Sequence, residues 1–240
     1  LQGYFPSALA KYSSRNVASM GFAQLLFFMS SALGSSSALS AVPVFSGQLQ
    51  LVEREHASGI SIASFAVGRI IGDTYFVLLH GFVFAGIWML FGHAGHYYDW
   101  MAVILSTAFA ASGMGYMASA AYKQSTASTW TIVAAFVSSV FAGVEPSLSQ
   151  LSRYPVISWP WYLNFATWTA EATYFTWSRY LINDGHIPIS LQDGADAYGY
   201  QINGENGINR SIGAMIALGV GMRIIAGYIL YYRASAKRIQ

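Results

Sequence analysis

The sequence has no cysteine, which excludes disulfides, thiolate metal sites and thiol nucleophiles together. Charge is almost as scarce: Asp, Glu, Lys and Arg make up 9% of the 240 residues, against about 25% in soluble domains, too little to cover a water-facing surface. The 12 basic and 10 acidic side chains leave a formal charge of +2 and no basic face of the kind that binds nucleic acid. Catalytic motifs are missing as well. There is no G-x-x-x-x-G-K-[ST] loop to cradle ATP phosphates, no G-x-G-x-x-G opening a helix after a strand and no G-x-S-x-G elbow. No repeat recurs at a solenoid period, and no tract is of low complexity. The chain starts at Leu1 with neither an initiator Met nor a signal peptide.

What is present is hydrophobic. Apolar residues make up 55% of the chain and fall in runs that reach the roughly 20 residues needed to cross a bilayer core. No charge occurs between Arg15 and Glu53, and the spans read as about 20–44, 60–92, 100–122, 125–143 and 208–232. The second carries Arg69 and Asp73 near its start, the fourth is short and stops at Glu145-Pro146, and the last is interrupted by Arg210 and Arg223. The expected fold is all-α and integral to the membrane, with five transmembrane helices.

Basic residues collect in loops that stay on the cytoplasmic side. The tail 233–240 holds Arg233, Lys237 and Arg238 and no acid, so it is expected inside. Counting back puts Lys123 and the Glu53-Arg54-Glu55 turn inside, with the His93 to Asp99 loop and the 144–207 connection outside. That connection carries Glu145, Glu171, Asp184, Asp193, Asp196 and Glu205 against Arg153 and Arg179, an acidic excess that fits an outer loop. Residues 1–19 then form an outer loop, although Lys11 and Arg15 do not favour it. An earlier span ahead of Leu1, in a parent of six spans, resolves the conflict. Within 144–207, the stretch Pro155 to Phe165 is rich in Trp, Tyr and Pro. It is expected to dip back into the outer leaflet as a re-entrant segment before the last helix. Asn183 to Gly207 has turn chemistry and is expected as an exposed cap.

Few residues suggest chemistry. His93, His96 and Asp99 share one short loop and are of metal-ligating type, but a plain interfacial loop outweighs that reading because membrane di-iron enzymes use many more histidines. Charges inside spans cost roughly 2.5 to 3.5 kcal/mol at mid-bilayer and are kept for a reason. Arg69 and Asp73 stand four apart and can pair along one face or link helices. Arg223 must snorkel about 13 Å to the Tyr232 end or find a partner on another helix, and the partner is favoured. Gly68, Gly72, Gly213, Gly219, Gly221 and Gly227 suit close helix approach, within the chain before a dimer face. Asn209-Arg210-Ser211 is a sequon of doubtful use at the mouth of the last span.

In order along the chain stand Glu53-Arg54-Glu55-His56-Ala57-Ser58-Gly59-Ile60-Ser61, then Gly68-Arg69-Ile70-Ile71-Gly72-Asp73, then Phe141-Ala142-Gly143. Trp168-Thr169-Ala170-Glu171-Ala172, Gly199-Tyr200 and Arg223-Ile224-Ile225-Ala226-Gly227-Tyr228 follow. The set resembles the membrane domain of G-subfamily ABC transporters, with its R-E-x-x-x-G turn, G-[KR]-x-x-x-D helix start, W-x-x-E-A element and final helix. The flavour is that of plant and protist members, and the outer loop departs from several animal members in lacking cysteine. The resemblance runs from about Met20 to Arg238. It implies five of the six helices of an ABC-2 type exporter domain, with the nucleotide-binding domain and first span preceding the present start.

The resemblance further implies a half-transporter that dimerises with a second half-transporter. The nucleotide-binding domain, on the same parent polypeptide, would supply ATP and Mg, with no cofactor held on this chain. The turn of Glu53, Arg54, Glu55, Ser58 and Gly59 would pass closure of that domain to the spans, and Trp168 and Glu171 would mark the outer loop element. The substrate path would lie between the first and fourth spans, with Phe27, Phe28, Phe136 and Val140 as its lining and outer valve. An apolar lining with few charges suits a lipid-like or amphipathic cargo drawn from membrane lipid. No catalytic residue and no metal ligand is assigned on this chain. One alternative is a membrane-embedded lipid-modifying enzyme using His80, His93, His96, Asp99 and Glu171. Another is a secondary transporter or channel in which Arg69, Asp73 and Arg223 couple ions; inverted repeats, which would favour it, are not seen.

Overall fold

The computed structural model describes residues 14–48, 51–52, 54–55, 58–92, 97–142, 148–151, 155–183, 199–200 and 207–236. Glu53, His93, His96 and most of the expected outer cap lie outside them. The described residues are helical with short turns, as the apolar runs imply: α1 (Ser14–Ala41), α2 (Pro43–Ser46), α3 (Ile62–Gly92), α4 (Tyr97–Ala121) and α5 (Gln124–Val140) come first. They are followed by α6 (Leu148–Leu151), α7 (Pro155–Tyr162), α8 (Phe165–Asn183) and α9 (Gly207–Ala236). Four helical stretches are long and apolar enough to cross a membrane: Leu26–Ser46, Ile62–Leu90, Tyr97–Ala121 and Gly207–Arg233. The fourth expected span is α5, whose 17 residues measure about 25 Å, short of a roughly 30 Å bilayer core. Residues 14–19, read from sequence as loop, are helical.

α4 is the hub, packing against α1, α3, α5, α8 and α9. Its middle is made of small residues, Ala108, Ala110, Ala111, Ser112, Gly113 and Gly115, all buried, because helices in lipid gain by close backbone approach rather than by expelling water. The tightest point is Gly115, where an added Cβ would stand 1.9 Å from the Ala38 carbonyl oxygen of α1. The outer faces carry exposed Ile71, Phe76, Leu90 and Ile224, as lipid-facing surfaces require. Exposed Tyr97 and Tyr98 stand at one end of α4 and exposed Tyr122 at the other, beside the Tyr231 and Tyr232 end of α9. This is the distribution of interfacial aromatic belts.

α1 stops where Pro43 begins a new turn, since proline has no N–H to continue the ladder. Val42 offers α2 no side-chain cap, and a serine from α4 takes the role. Ser119 Oγ accepts from the amides of Phe45 and Ser46, each at 2.9 Å, and donates to the Val42 carbonyl at 2.6 Å.

The 144–207 connection is less loop-like than its sequence suggests. α8 is inserted in the bundle, with Phe165, Ala166, Thr169, Ala170, Ala172 and Thr173 fully buried. Phe165 packs at Gly34 of α1, where an added Cβ would meet its ring at 2.9 Å. Further along α8, Thr173 donates to the Met29 sulfur at 3.9 Å and Phe175 packs at Gly207 of α9. α8 therefore starts deep, at the middle of α1, and runs towards the end where α9 begins. The turn 163–164 between α7 and α8 is the apex of a hairpin that enters the bundle. Threonine hydroxyls made this segment look polar, yet two of them are satisfied inside the helix: Thr169 donates to the Phe165 carbonyl and Thr176 to that of Ala172.

Candidate functional site

The turn ahead of α3 is built by its own sequence. The Ser58 amide donates to the Arg54 carbonyl at 3.1 Å and the Ile60 amide to that of Glu55 at 3.0 Å, while Ser58 Oγ donates to the Glu55 carbonyl at 2.8 Å. Gly59 holds φ +97°, in the left-handed region that favours glycine. Ser61 then caps α3, accepting the Ser64 amide at 3.1 Å. Arg54, Ser58 and Gly59 are exposed and Glu55 is half-buried, so the turn presents its charges outward beside the first residues of α3.

About three helical turns into α3 lies Asp73. Its spacing from Arg69 does not produce an ion pair. The Asp73 carboxylate accepts a 2.5 Å hydrogen bond from the Tyr116 hydroxyl of α4, while the Arg69 guanidinium lies 5.5 Å from the Phe65 ring. Each side chain has another neighbour: Tyr116 of α4 takes the Asp73 carboxylate, and the Phe65 ring one turn back takes the Arg69 guanidinium.

Tyr116 also borders Arg223 of α9, whose guanidinium sits 4.9 Å from its ring centroid and 3.7 Å from that of Phe109. Arg223 is 6% exposed. Its Nη1 donates to the Phe109 and Gly219 carbonyls at 2.9 Å and its Nη2 to Ser112 Oγ at 2.7 Å. The expectation that Arg223 needs a partner on another helix holds, and the partner is α4. Gly219 makes room for this: an added Cβ would meet the Phe109 ring at 2.7 Å and Arg223 Nη1 at 3.1 Å. A carboxylate on α3 and a guanidinium on α9 are thus tied through α4, inside the spans, where an unpartnered charge is most costly. Gly68, Gly72, Gly213, Gly221 and Gly227, by contrast, face open space among the described residues.

At the other end, Trp168 and Glu171 lie one turn apart on α8. The Trp168 indole donates to the Tyr162 carbonyl at 2.8 Å. Arg210 of α9 stands over the Trp168 ring at 5.3 Å and 3.8 Å from the buried Glu171 carboxylate. In the sequon, Asn209 is exposed while Ser211 is fully buried, with its hydroxyl on the Gly207 carbonyl. Asn164 clips the hairpin apex to α5: Nδ2 donates at 2.8 Å to the carbonyls of Ser138 and Phe141, and Oδ1 accepts the Ala166 amide.

Phe27 and Phe136 are brought together, ring centroids 5.7 Å apart and edge to face. Phe28 is 67% exposed, Phe136 and Val140 are also exposed, and Phe27 is half-buried. Of the residues in the enzyme alternative, His80 meets Ser36 of α1 at 3.0 Å and Asp99 lies in the first turn of α4. Among the described residues no three His, Asp or Glu side chains converge as a metal site. Tyr116, Ser112 and Asn164 went unnoticed as partners; each lies in a run that reads as apolar or aromatic, and only the unmet needs of Asp73 and Arg223 pointed towards the first two, while nothing pointed towards Asn164.

None of the curated proteins compared matches the chain. The family model for the ABC-2 type transporter matches residues 4–176, from the start of α1 through the turn, the Asp73–Tyr116 contact and most of α8. With its apolar helices and internal polar bridge, the chain belongs to the ABC-2 type transporter family and is an integral membrane domain.

Proposed function

We propose that this chain is the membrane-spanning part of an ATP-driven exporter of lipid-like or amphipathic substrates, of the G-subfamily type. It works as one half of a dimer that alternates between inward and outward access. The observation that carries the reading is the succession of turn, α3 and polar bridge. The Arg54 to Gly59 turn is hydrogen-bonded within itself up to Ile60 and runs directly on into α3, and α3 is tied by Asp73 and Tyr116 to α4, which grips Arg223 of α9. A push on the turn therefore moves three helices together rather than one. In this reading the turn and the basic tail face the cytoplasm, and a nucleotide-binding domain on the parent polypeptide supplies ATP and Mg. The exposed face bearing Phe27, Phe28, Phe136 and Val140 forms half of the substrate path. Trp168, Glu171 and Arg210 join α8 to α9 at its outer end.

The test uses the full-length protein in proteoliposomes, following ATP-dependent movement of a fluorescent phospholipid. Arg54→Ala and Glu55→Ala are expected to depress movement several-fold while leaving assembly and folding intact. Movement that proceeds equally without nucleotide, or that is unchanged in both variants, would overturn the coupling role.

A further inference from the structure

The open face of α1 is more polar than its setting in a bilayer demands. Ser31, Ser35 and Ser36 are all partly exposed and share the side of the helix that carries Phe28, Ala32 and Leu39. Ser36 lies midway between Leu26 and Ser46, the limits of that span. Each hydroxyl has already committed its proton to its own helix: Ser31 donates to the Phe27 carbonyl at 2.5 Å, Ser35 to that of Ser31, and Ser36 to that of Ala32 at 2.7 Å. A serine used in this way has its donor engaged, but it keeps lone pairs on Oγ.

His80 of α3 shows what such an oxygen does next. Its Nε2 stands 3.0 Å from Ser36 Oγ; with the Ser36 hydroxyl directed at the Ala32 carbonyl, the Nε2–H tautomer of the imidazole donates and Ser36 accepts. That contact forms one wall of the face, and the Phe27–Phe136 edge-to-face pair forms the other. Between the walls, Ser31 and Ser35 present acceptor oxygens that no side chain among the described residues fills.

We propose that this face is a substrate station selective for amphipathic molecules that carry a hydrogen-bond donor, a hydroxyl or an N–H, over isosteric molecules that carry acceptors only. The inference rests on the transport reading above and names the cargo chemistry of that path. Apolar area on Phe28, Leu39 and Phe136 holds the hydrocarbon part and does not discriminate. The discrimination comes from Ser31 and Ser35, which accept at no cost but donate only by giving up the bond to their own helix. An ether or ester oxygen brought to them meets another lone pair, whereas a hydroxyl completes a hydrogen bond in a medium without competing water.

The experiment uses the full-length protein in phospholipid nanodiscs without nucleotide. A diazirine-bearing long-chain fatty alcohol serves as photocrosslinking probe, competed by dodecanol or by its methyl ether at matched bilayer concentration. Dodecanol is expected to compete roughly 3- to 10-fold better than the ether, the worth of one hydrogen bond. The advantage is expected to vanish in the Ser31→Ala/Ser35→Ala double variant and to persist in Ser30→Ala, whose hydroxyl is buried on the opposite side. Alanine favours helix, so the variants should fold, and a thermal melt of each confirms it. Equal competition by alcohol and ether, or a preference that survives the double variant, overturns the proposal. Because binding is read without ATP, a protein that binds selectively but does not transport would sink the exporter reading and leave the station standing.

Discussion

The Tyr116 hydroxyl donates to the Asp73 carboxylate at 2.5 Å, and that contact, not the sequence-adjacent Arg69, decides the role of the acid on α3. Asp73→Ala is expected to destabilise the protein by about 1–3 kcal/mol, the cost of a buried hydroxyl left without its acceptor. Tyr116→Phe should cost a similar amount, and the two should be strongly non-additive because they remove the same bond. Arg69→Ala, touching only Phe65 among the contacts described, should stay within about 0.5 kcal/mol. Urea unfolding in mixed micelles measures all four proteins, and additive losses for Asp73 and Tyr116 would show that they do not act as a pair.

Gly115 and Gly221 differ by what surrounds them. At Gly115 a methyl group would lie 1.9 Å from a backbone oxygen that cannot swing aside; at Gly221 it would meet nothing. Gly115→Ala should therefore force α1 and α4 apart, at about 1–3 kcal/mol or more. Gly221→Ala should be neutral or gain up to about 1 kcal/mol of helix propensity. Melting midpoints of both variants in detergent provide the comparison. A loss at Gly221 equal to that at Gly115 would mean that the open face of α9 is covered in the native assembly.

Much of the helical frame was legible because charge is so rare that its gaps mark the spans. The same rarity made Arg223 conspicuous. Its partners were not legible: Ser112 and the Phe109 and Gly219 carbonyls carry no pattern, since a backbone oxygen is available at every residue. Tyr116 reads as one more aromatic in an apolar run. α8 was hidden for the opposite reason, since four threonines and a glutamate lower its apparent hydrophobicity although the helix is buried. A hydropathy window counts a threonine as polar, but once its hydroxyl bonds to the carbonyl one turn back it packs as an apolar group. The spacing of Arg69 and Asp73 left a pair along one face and a link between helices both open, and only the place of Tyr116 on α4 makes Asp73 the link.

Ser119 stands in for a missing helix cap. It accepts two amides of α2 and anchors the chain just before the turn. Ser119→Ala should strand both donors in a buried setting, costing about 1–2 kcal/mol, as cap removal does elsewhere. The amides of Phe45 and Ser46 should exchange faster with deuterium, while those in the middle of α4 keep their protection. Unchanged exchange at both amides would show that another acceptor replaces the serine.

Asn164 performs two separable tasks at the apex of the hairpin, and a single isosteric change can divide them. Its Oδ1 accepts the Ala166 amide at the start of α8, while its Nδ2 donates to the Ser138 and Phe141 carbonyls at the end of α5. Asn164→Asp keeps an oxygen for the amide, and aspartate is as good a cap as asparagine, but it turns the second group from donor to acceptor opposite two carbonyl oxygens. Asn164→Ala removes both functions. In the aspartate variant the Ala166 amide should stay protected from deuterium exchange while the end of α5 loosens, with a stability loss of about 1–3 kcal/mol. In the alanine variant both sites should loosen. If the aspartate variant kept α5 fully protected, the clip would not be what holds the hairpin apex, and the burial of Phe165 against Gly34 would have to hold it alone.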